Sequence, residues 1–449
     1  MTNSPTRTNL DADPRVRYAL GVLLGTEAAA GAPIFYGDAP KGDCNRPAIH
    51  ILPSKFFAEH YGTPDSLPPL PLTRIDGVPL LFGRPEVCRR GNRLMVHADI
   101  VASAYFMVTR YEEWIRRDAR DEHGRFPGRE SLPVRAGFID TPIVDEYALL
   151  LRKWAKEMQI PLPEPQRQFS LLLTHDVDTL GIRPRLFQAC RSLAGVMVGR
   201  RRPATALANA AIALGLVRDP CDNLDRVIQL SRTLFRLGAG RCRLVAFFLA
   251  GGNSPLDGNY DIRWSRARKA IQQVLARGGS VGLHASYDAG QHPDRLKRER
   301  EVLEEIVGMP VHKSRHHYLG WREVEDGHSM AEAGINWDST MGYADTAGFR
   351  LGVCRPIPLF DPAGRCPLGI EEHPLVVMDN SLSKDRYMNL SEEEAFAYVC
   401  KLADATYRHQ GEFVTLWHSH VLASSDTSYH RRLYVRVLEY LTHLLTRTR

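Results

Sequence analysis

Seven short predicted strands, most of them followed by a helical pattern, occupy the chain after residue 168 and restrict the fold more than any other feature. Short continuous apolar runs are typical of strands buried on both faces. The segments cover residues 169–174, 244–249, 280–284, 311–315, 335–339, 375–378 and 412–417. Strands that alternate with helices favour a parallel sheet with right-handed crossovers. Seven such units are enough to close, or nearly close, into a barrel.

Helical patterns fill most of the intervals between these strands. An Arg/Ala-rich stretch up to about residue 238 comes first, and further helices are predicted over 264–277, 293–308, 322–333, 391–409 and 428–446. Gly278 and Gly279 provide the left-handed stop expected after the second of these helices. Ser391 and Glu394 have the spacing of a capping box, which predicts where the helix over 391–409 begins.

Three prolines within residues 161–165 (PLPEP) mark the best domain boundary, because such a segment cannot continue a helix. We expect an accessory α/β domain over 1–160, a Pro-rich linker over 161–167 and the barrel over 168–449. The first domain contains two predicted helices, over 99–118 and 144–158, whose apolar faces need a partner surface. It lacks converging acids and histidines. We therefore expect it to pack beside the barrel and flank its groove, and not to form a second catalytic unit.

The composition of the 449 residues excludes several classes of protein. With 44% hydrophobic and 24% charged residues the chain is globular, and it has no apolar run long enough for a transmembrane helix. The net charge of +6 is mild for this length and does not indicate a nucleic-acid partner. Eight cysteines form no CxxC pair, which excludes a zinc ribbon. The first residues lack a signal-peptide pattern, so a cytoplasmic protein is expected.

Acids and histidines follow almost every predicted strand of the second half. In a parallel barrel the carboxyl ends of all strands share one face, where active sites are built. We therefore predict a functional site at this face. The residues placed there are Asp176, Asp178, His284, Asp288, Arg315, His316, His317, Asp338, Asp379, His418 and His420.

The pair Asp176 and Asp178 indicates the chemistry. In an extended chain the two carboxylates point to the same side and repel each other unless a cation or a shared proton separates them. His284 could supply the nitrogen ligand that Zn²⁺ prefers. A metal with open positions acidifies water and polarises a carbonyl group, and a remaining carboxylate can accept the proton. The pattern predicts metal-assisted hydrolysis.

These strand ends resemble the motifs of the polysaccharide deacetylases with NodB homology, carbohydrate esterase family four. The chain carries HDVD over 175–178, GLHASY over 282–287 and WHSH over 417–420, which resemble a subgroup with an extra N-terminal domain found with bacterial capsule and exopolysaccharide genes. The resemblance covers residues 168–420 well and the rest weakly. It implies an α/β fold with an irregular parallel (β/α)7 barrel of NodB type and a smaller N-terminal α/β domain.

The resemblance also implies roles for individual residues. Asp176 corresponds to the general base and Asp178 to a metal ligand together with His284. Arg315 corresponds to the residue that orients the catalytic Asp, and we expect a charge-assisted contact between Arg315 and Asp176. His418 corresponds to the general acid, although His420 competes for this role. Residues expected to bind the substrate are Tyr287, Tyr318, Trp337, Asp338, Trp417 and His420.

One position departs from the family pattern. The second motif normally has two histidines on the metal, and here Asp288 replaces the second one. Asp288 could complete the site if one helical turn brings it to His284. Alternatively, His317 completes the site from the fourth strand, or the metal is lost and the domain only binds glycan. Zinc is the expected metal, with cobalt or manganese as alternatives.

The resemblance implies removal of N-acetyl groups, in preference to O-acetyl groups, from a saccharide or saccharide precursor. The expected setting is bacterial exopolysaccharide or capsule biosynthesis. Two alternatives remain open at this stage. One is a catalytically inactive glycan-binding or scaffold protein of the same fold, and the other is a C–N hydrolase that acts on a small non-sugar amide.

Overall fold

A computed structural model describes residues 13–38, 46–180, 194–196, 207, 210–211, 216, 223–252, 254–258, 260–422 and 428–447. Most of the Arg/Ala-rich stretch predicted to be helical up to residue 238 lies outside these residues. Its described end forms two helices, Leu224–Leu230 and Arg232–Leu237. We call residues 13–160 the N-terminal part and residues 161–447 the C-terminal part. No described helix combines the length and the apolar character needed to cross a bilayer.

The N-terminal part contains a four-stranded mixed sheet and a small separate hairpin. The sheet has the order β1-β2-β6-β5, in which only β5 runs antiparallel to its neighbour. The hairpin pairs β3 with β4. The strands are β1 Ile34–Tyr36, β2 Ala48–Ile51, β3 Thr73–Ile75, β4 Val78–Leu80, β5 Gly83–Arg90 and β6 Arg93–Ala98.

Six helices belong to the N-terminal part. The predicted helix over 99–118 is divided in two, because Arg110 adopts a left-handed conformation (φ 54°) between its halves. The second predicted helix, over 144–158, is confirmed as α6. The helices are α1 Pro14–Leu24, α2 Thr26–Gly31, α3 Ile100–Val108, α4 Tyr111–Ile115, α5 Leu132–Arg135 and α6 Ile143–Glu157.

A nine-stranded sheet forms the centre of the C-terminal part, with the order β12-β13-β11-β10-β9-β8-β7-β15-β14. Seven of its strands correspond to the seven predicted segments and are parallel to their neighbours. The strands are β7 Ser170–Val177, β8 Cys242–Leu249, β9 Ser280–Ala285, β10 Lys313–His316, β11 Trp337–Asp338, β12 Ile357–Asp361, β13 Cys366–Glu372, β14 Val377–Met378 and β15 Glu412–Leu416.

The helices of the C-terminal part confirm the sequence pattern. Gly278 and Gly308 are left-handed just after two of them, and the capping box of Ser391 and Glu394 has both of its hydrogen bonds. Numbered after α6, these helices are α7 Leu224–Leu230, α8 Arg232–Leu237, α9 Ser265–Leu275, α10 Pro293–Val307, α11 Glu325–Glu332, α12 Asp379–Ser383, α13 Glu392–Arg408 and α14 Tyr429–Thr446.

The nine-stranded sheet is curled but its edges are not joined by a described ladder of backbone hydrogen bonds. Between β13 and β14 the strand order has seven spacings, or about 34 Å in a flat sheet. Only residues 373–376 connect these two strands, and such a connection spans at most about 18 Å. The sheet must therefore curl towards closure. The sheet is open and has nine strands, of which β12 is antiparallel to its neighbour β13. The sequence instead predicts a barrel of seven parallel strands.

The two parts pack closely against each other. One hydrophobic core cluster includes residues of both, and the rings of Tyr105 and Phe360 lie 5.8 Å apart within it. Three buried ion pairs also cross between the parts. They are Arg110–Glu323, Glu113–Arg350 (2.5 Å) and Asp145–Arg355 (2.7 Å).

Candidate metal centre and active-site cavity

A cavity of about 350 Å³ opens at the carboxyl ends of the parallel strands. Its floor is formed mostly by residues that the sequence predicts for a site, and its rim by basic and aromatic side chains. The floor includes Asp176, Asp178, Asp257, His284, His317 and His418, and the rim includes Arg125, Tyr318, Lys384, Arg386, Tyr387 and His420.

Asp178, His284 and His317 form a group that could hold a metal ion. One donor atom from each residue lies within 4.8 Å of the other two. Asp178 Oδ1 is 3.3 Å from His284 Nε2 and 3.8 Å from His317 Nε2. Each of the three residues ends, or directly follows, a parallel strand, so the topology of the sheet brings them together.

The orientation of both rings leaves Nε2 free for a metal. His284 Nδ1 lies 2.9 Å from the carbonyl oxygen of Arg315, and because a carbonyl only accepts, Nδ1 carries the proton. His317 Nδ1 lies 3.3 Å from Asp257 Oδ1 and is protonated for the same reason. Hydrogen bonds of this kind fix the tautomer of metal-binding histidines.

Two atoms of this group are buried without a hydrogen bond among the described residues, namely Asp178 Oδ1 and His284 Nε2. Burial opposes ionisation of Asp178, but the neighbouring imidazole of His284, together with those of His418 and His317, lowers its pKa well below the usual value. A buried carboxylate facing imidazole nitrogens fits a divalent cation. Two nitrogens and one oxygen suit zinc, and three protein ligands are typical of catalytic zinc sites.

The structure does not bring Asp288 to this group. The Asp288 side chain is 42% exposed and lies 3.6 Å from Arg295. The helical turn that would place it beside His284 does not form, because the chain is extended through Ala285 and Tyr287 N–H then donates to Asp257. Of the two alternatives for the third ligand, the geometry brings His317 into position.

Arg315 is fully buried beside the carboxylate of Asp176. Its Nη1 lies 3.2 Å from Asp176 Oδ1 and donates to Thr174 Oγ1 at 2.5 Å. Its Nε donates to the carbonyl oxygen of Ser339, which fixes the guanidinium. The second carboxylate oxygen of Asp176 lies 3.6 Å from His284 Nε2. Asp176 therefore stands next to the candidate metal group, held by an arginine.

His418 occupies another side of the floor. Its Nδ1 lies 2.7 Å from Asp379 Oδ1, and its backbone N–H donates to the other oxygen of the same carboxylate. Burial works against the charged ring, but the carboxylates of Asp379 and Asp178 outweigh it and raise the pKa of His418 to about 10. Its Nε2 lies 3.7 Å from Asp178 Oδ2. His418 is thus a protonated ring whose free nitrogen faces the metal group.

The residues expected to bind the substrate divide into two groups. Tyr318 and His420 line the cavity, and the ring of Tyr287 lies 5.3 Å from that of Tyr318. The other three, Trp337, Asp338 and Trp417, are buried outside the cavity.

Trp337 stacks on His373, Asp338 accepts hydrogen bonds from Thr340, and Trp417 packs against Tyr434. Side chains of successive residues in extended chain face opposite sides. Trp417 precedes His418 and therefore points away from the cavity. Trp337 and Asp338 lie in β11, and neither lines the cavity, so the structure does not place these three residues where a substrate would bind.

Several residues of the cavity were not assigned a site role from the sequence. Asp379, which orients His418 from beside the cavity, is placed at this face by its position after a predicted strand but has no individual role in the sequence prediction. Asp257 lies in a loop and Arg125 in the N-terminal part, so strand-end reasoning has no means to find them. Lys384, Arg386 and Tyr387 follow α12 and reach the rim from there.

A second group of possible metal ligands lies in the N-terminal sheet and consists of Glu86, Cys88 and His97. Glu86 is exposed and the other two residues are partly buried, and Arg84 lies 3.7 Å from Glu86 and 2.9 Å from His97 Nδ1. A guanidinium already occupies the place where a cation would be attracted. We therefore assign no metal to this group.

Comparisons with known proteins give one sequence match and several weak structural ones. A family of unknown function, DUF7033, matches residues 18–159. No curated protein matches.

Among solved structures, a protein described as a polysaccharide deacetylase from Mycobacterium smegmatis is 16% identical, with a TM-score of 0.39 over 64% of this chain and 87% of that one. Puue allantoinase gives 15% identity, a TM-score of 0.38 and coverages of 62% and 86%. A protein described as a polysaccharide deacetylase from Pseudomonas aeruginosa PAO1 is 16% identical, with a TM-score of 0.36 over 61% of this chain and 83% of that one.

Proposed function

We propose that the protein is a metal-dependent hydrolase that removes N-acetyl groups from a saccharide or saccharide precursor, in bacterial exopolysaccharide or capsule biosynthesis. One observation carries this proposal. A carboxylate held by an arginine, a protonated histidine held by a carboxylate, and a three-residue group with unpartnered donor atoms converge on one cavity. This is the set of parts that hydrolysis of an amide requires.

The proposed ligands are Asp178, His284 and His317, with zinc as the preferred metal and cobalt or manganese as alternatives. A divalent cation held there acidifies water and polarises a carbonyl group. Asp176 accepts the proton of the attacking water. Arg315 keeps the carboxylate of Asp176 in place through the contact at 3.2 Å.

His418 donates a proton to the departing amine nitrogen. Its ring is oriented by Asp379, whose carboxylate raises the pKa of His418 and so favours the protonated ring. An amine is a poor leaving group unless it is protonated, whereas an alcohol needs this help less. A histidine positioned to donate a proton therefore supports an amide over an ester as the bond that is cleaved.

The size and the rim of the cavity support a small sugar or a chain end as substrate. A volume of about 350 Å³ is at the lower end of the range for ligand pockets, about 300–1,000 Å³. Tyr318 and Tyr387 offer aromatic surfaces to sugar rings, and His420 offers a polar contact.

Residues 1–160 are proposed to be an accessory domain, because Arg125 from that part lines the cavity.

The same small cavity supports a second candidate, a C–N hydrolase that acts on a small non-sugar amide. The proposed acid, base and metal ligands would serve both reactions. A catalytically inactive glycan-binding protein is the remaining alternative, and it requires no bound metal.

Three measurements separate these functions. Elemental analysis of the purified protein is expected to find about one zinc per chain, and a metal-free protein would favour the inactive alternative. Acetate release from N-acetylglucosamine and its oligosaccharides is expected from the deacetylase. Ammonia or carboxylate release from a panel of small amides, without acetate release, would favour the second candidate.

Variants of the proposed base and acid provide the decisive controls. Asp176→Asn and His418→Gln are each expected to lower kcat by roughly 10²–10⁴-fold while the metal content stays unchanged. Asp261→Asn is the matched control, because Asp261 is exposed and its carboxylate contacts only the backbone N–H and the guanidinium of Arg263 among the described residues. Full activity in the Asp176 variant would rule out the proposed base.

A further inference from the structure

We infer that Arg125, in the N-terminal part of the chain, is a positioning residue for the metal ligand His317. Arg125 holds the backbone turn that follows His317 in a conformation that the local sequence does not favour. The inference rests on the proposed metal site and adds to it a contribution from residues outside the C-terminal part.

The turn after His317 has an unusual backbone. Tyr318 and Leu319 are consecutive and both lie in the left-handed region, with φ of 62° and 54°. For residues other than glycine this conformation costs roughly 1–2 kcal/mol each, because Cβ crowds the following carbonyl oxygen. Neither side chain is short and polar, so neither can stabilise the conformation locally. Contacts from outside must hold the turn.

Arg125 supplies such a contact to the backbone of Tyr318. Its Nη1 donates to the Tyr318 carbonyl oxygen at 2.8 Å, which is the only hydrogen bond that this oxygen accepts among the described residues. A charged donor makes a stronger hydrogen bond than a neutral one. The Arg125 guanidinium is itself fixed, because its Nε donates to Asp121 at 2.8 Å and its Nη2 lies 3.3 Å from Tyr387 Oη.

The same N-terminal segment also contacts the side chain of Tyr318. The ring of His123 lies 4.5 Å from that of Tyr318, and its Nδ1 lies 3.2 Å from Tyr287 Oη. On its other side the Tyr318 ring packs edge-on against His317 at 4.7 Å. A shift of Tyr318 would therefore move His317.

The other two ligands do not depend on this arrangement. His284 lies within β9, and Asp178 directly follows β7. The carboxylate of Asp257 orients the ring of His317 but makes no described contact with the backbone of the turn. Loss of the Arg125 contact should thus weaken metal binding without abolishing it.

Metal affinity of the full-length chain tests the inference. Metal-free wild type, Arg125→Ala, Arg125→Lys and Arg117→Ala are titrated with Zn²⁺ against a chromophoric chelator. Arg117→Ala is the matched control, because Arg117 also joins the two parts, through Glu323 and Glu325, but lies outside the cavity lining. Arg125→Ala is expected to raise Kd for Zn²⁺ by roughly 10–100-fold, the usual effect of removing an outer support of a metal site. The Kd of Arg125→Lys should lie between those of wild type and Arg125→Ala, and the Kd of Arg117→Ala should stay within about twofold of wild type.

A change at Tyr318 shows whether Arg125 acts through the turn. Glycine adopts positive φ without a steric cost. In a Tyr318→Gly background, Arg125→Ala is therefore expected to raise Kd by less than threefold. Circular dichroism checks that each variant is folded, and Arg125→Lys and the double variant decide the outcome if Arg125→Ala alone does not fold.

Three results have distinct meanings. An unchanged Kd in Arg125→Ala overturns the inference and leaves the proposed metal site intact. A full effect of Arg125→Ala in the Tyr318→Gly background also overturns it, because Arg125 would then act by another route. Failure of the wild type to bind Zn²⁺ overturns the proposed metal site, and the inference with it.

Discussion

Three histidines of the cavity floor each pair their Nδ1 with an oxygen and direct their Nε2 towards Asp178. The partners are the Arg315 carbonyl for His284, the Asp257 carboxylate for His317 and the Asp379 carboxylate for His418. Two of these histidines are proposed ligands and the third is the proposed acid. Their tautomers are fixed in the same way, so the hydrogen bond at Nδ1 does not by itself distinguish the proposed ligands from the proposed acid.

The first prediction concerns the orientation of His317. Asp257 accepts from His317 Nδ1 and from the backbone N–H groups of Tyr287 and Ser254. Asp257→Asn replaces one acceptor oxygen by a donor, so the histidine or one amide loses its partner. We expect Kd for Zn²⁺ to rise by roughly 10–100-fold, measured by competition titration. Asp261→Asn should leave it unchanged, and an equal effect of both variants would contradict the orienting role.

A buried carboxyl group behind the site provides the second prediction. Glu372 is fully buried, its Oε2 has no hydrogen-bond partner among the described residues, and Met341 N–H donates to its Oε1. Burial, together with the charge of Asp338, raises the pKa of Glu372 well above its usual value. In the unfolded chain Glu372 loses its proton near pH 4.5, so stability falls as pH rises above this value.

Glu372→Gln keeps the size and the acceptor oxygen and cannot ionise. We expect the free energy of unfolding to match wild type at pH 4 and to exceed it by about 1 kcal/mol at pH 8. Urea denaturation at both pH values measures this difference. A variant that is less stable than wild type at pH 8 would show that the carboxyl group is needed as such.

The third metal ligand shows how far single residues could be predicted from the sequence. Strand ends placed Asp176, Asp178, His284 and His418 correctly at one face, because a parallel sheet sets their positions whatever the loops do. Asp288 was a plausible ligand only if a helical turn followed β9, and a hydrogen bond from Tyr287 to Asp257 prevents that turn. Asp257 lies 30 residues from Tyr287 in the chain, and no local pattern reveals such a contact.

At the scale of the elements, residues 373–376 and one side-chain pair link the two ends of the curled sheet. His373 follows β13 near one edge, and Glu412 begins β15 near the other. His373 Nδ1 lies 2.5 Å from Glu412 Oε1, and Nε2 lies 3.0 Å from Glu371. Side-chain hydrogen bonds thus join the edges where the described backbone has no ladder.

This pair gives the third prediction. Burial opposes the charge of His373, but its hydrogen bonds with Glu371 and Glu412 raise its pKa above 6.5. Its contribution to stability is therefore complete below pH 6.5 and is lost as pH rises through the folded pKa. Burial likewise opposes ionisation of Glu412, but the hydrogen bond with His373 lowers its pKa, so its contribution is lost in acid.

His373→Gln is expected to cost about 2 kcal/mol at pH 6 and less at pH 9, where the wild-type ring has begun to lose its charge. Urea denaturation across this range measures the loss. His312→Gln is the control, because His312 is exposed and bonds only to the Gly334 carbonyl. If His373→Gln lowers the free energy of unfolding equally at every pH, His373 is not charged in the folded wild type.

The sequence predicted seven strands of the curled sheet and missed the hairpin of β12 and β13. The seven are buried on both faces, and most of them read as short apolar runs, although the segment over 311–315 is largely polar. The hairpin contains Pro358 and Pro367 within its strands and alternates buried with exposed residues in β13. Prolines and glycines of this kind indicate turns, so the segment was not distinguishable from a loop.

At the scale of the whole molecule, buried charges hold the two parts together. Glu113 receives two hydrogen bonds from Arg350, and both side chains are at most 4% exposed. Glu113→Ala leaves the guanidinium of Arg350 buried without its counter-charge. We expect the free energy of unfolding, measured by urea denaturation, to fall by about 3–5 kcal/mol.

Two further variants test the fourth prediction. Glu122→Ala removes a surface ion pair with Arg386 between the same two parts and should cost less than about 1 kcal/mol. Glu113→Leu combined with Arg350→Met should recover much of the loss, because no buried charge is then left unpaired. A loss of similar size in Glu122→Ala would contradict the special weight given to the buried pair.

The three buried ion pairs between the parts restrict how this chain can change by recombination. A crossover near residue 160 between two related genes joins Arg110, Glu113 and Asp145 of one parent to the partners encoded by the other. The two members of each pair lie more than 200 residues apart, at separations of 213, 237 and 210 residues. A hybrid therefore folds well only when both parents carry the same sign of charge at all three places, so the two parts are expected to be inherited together.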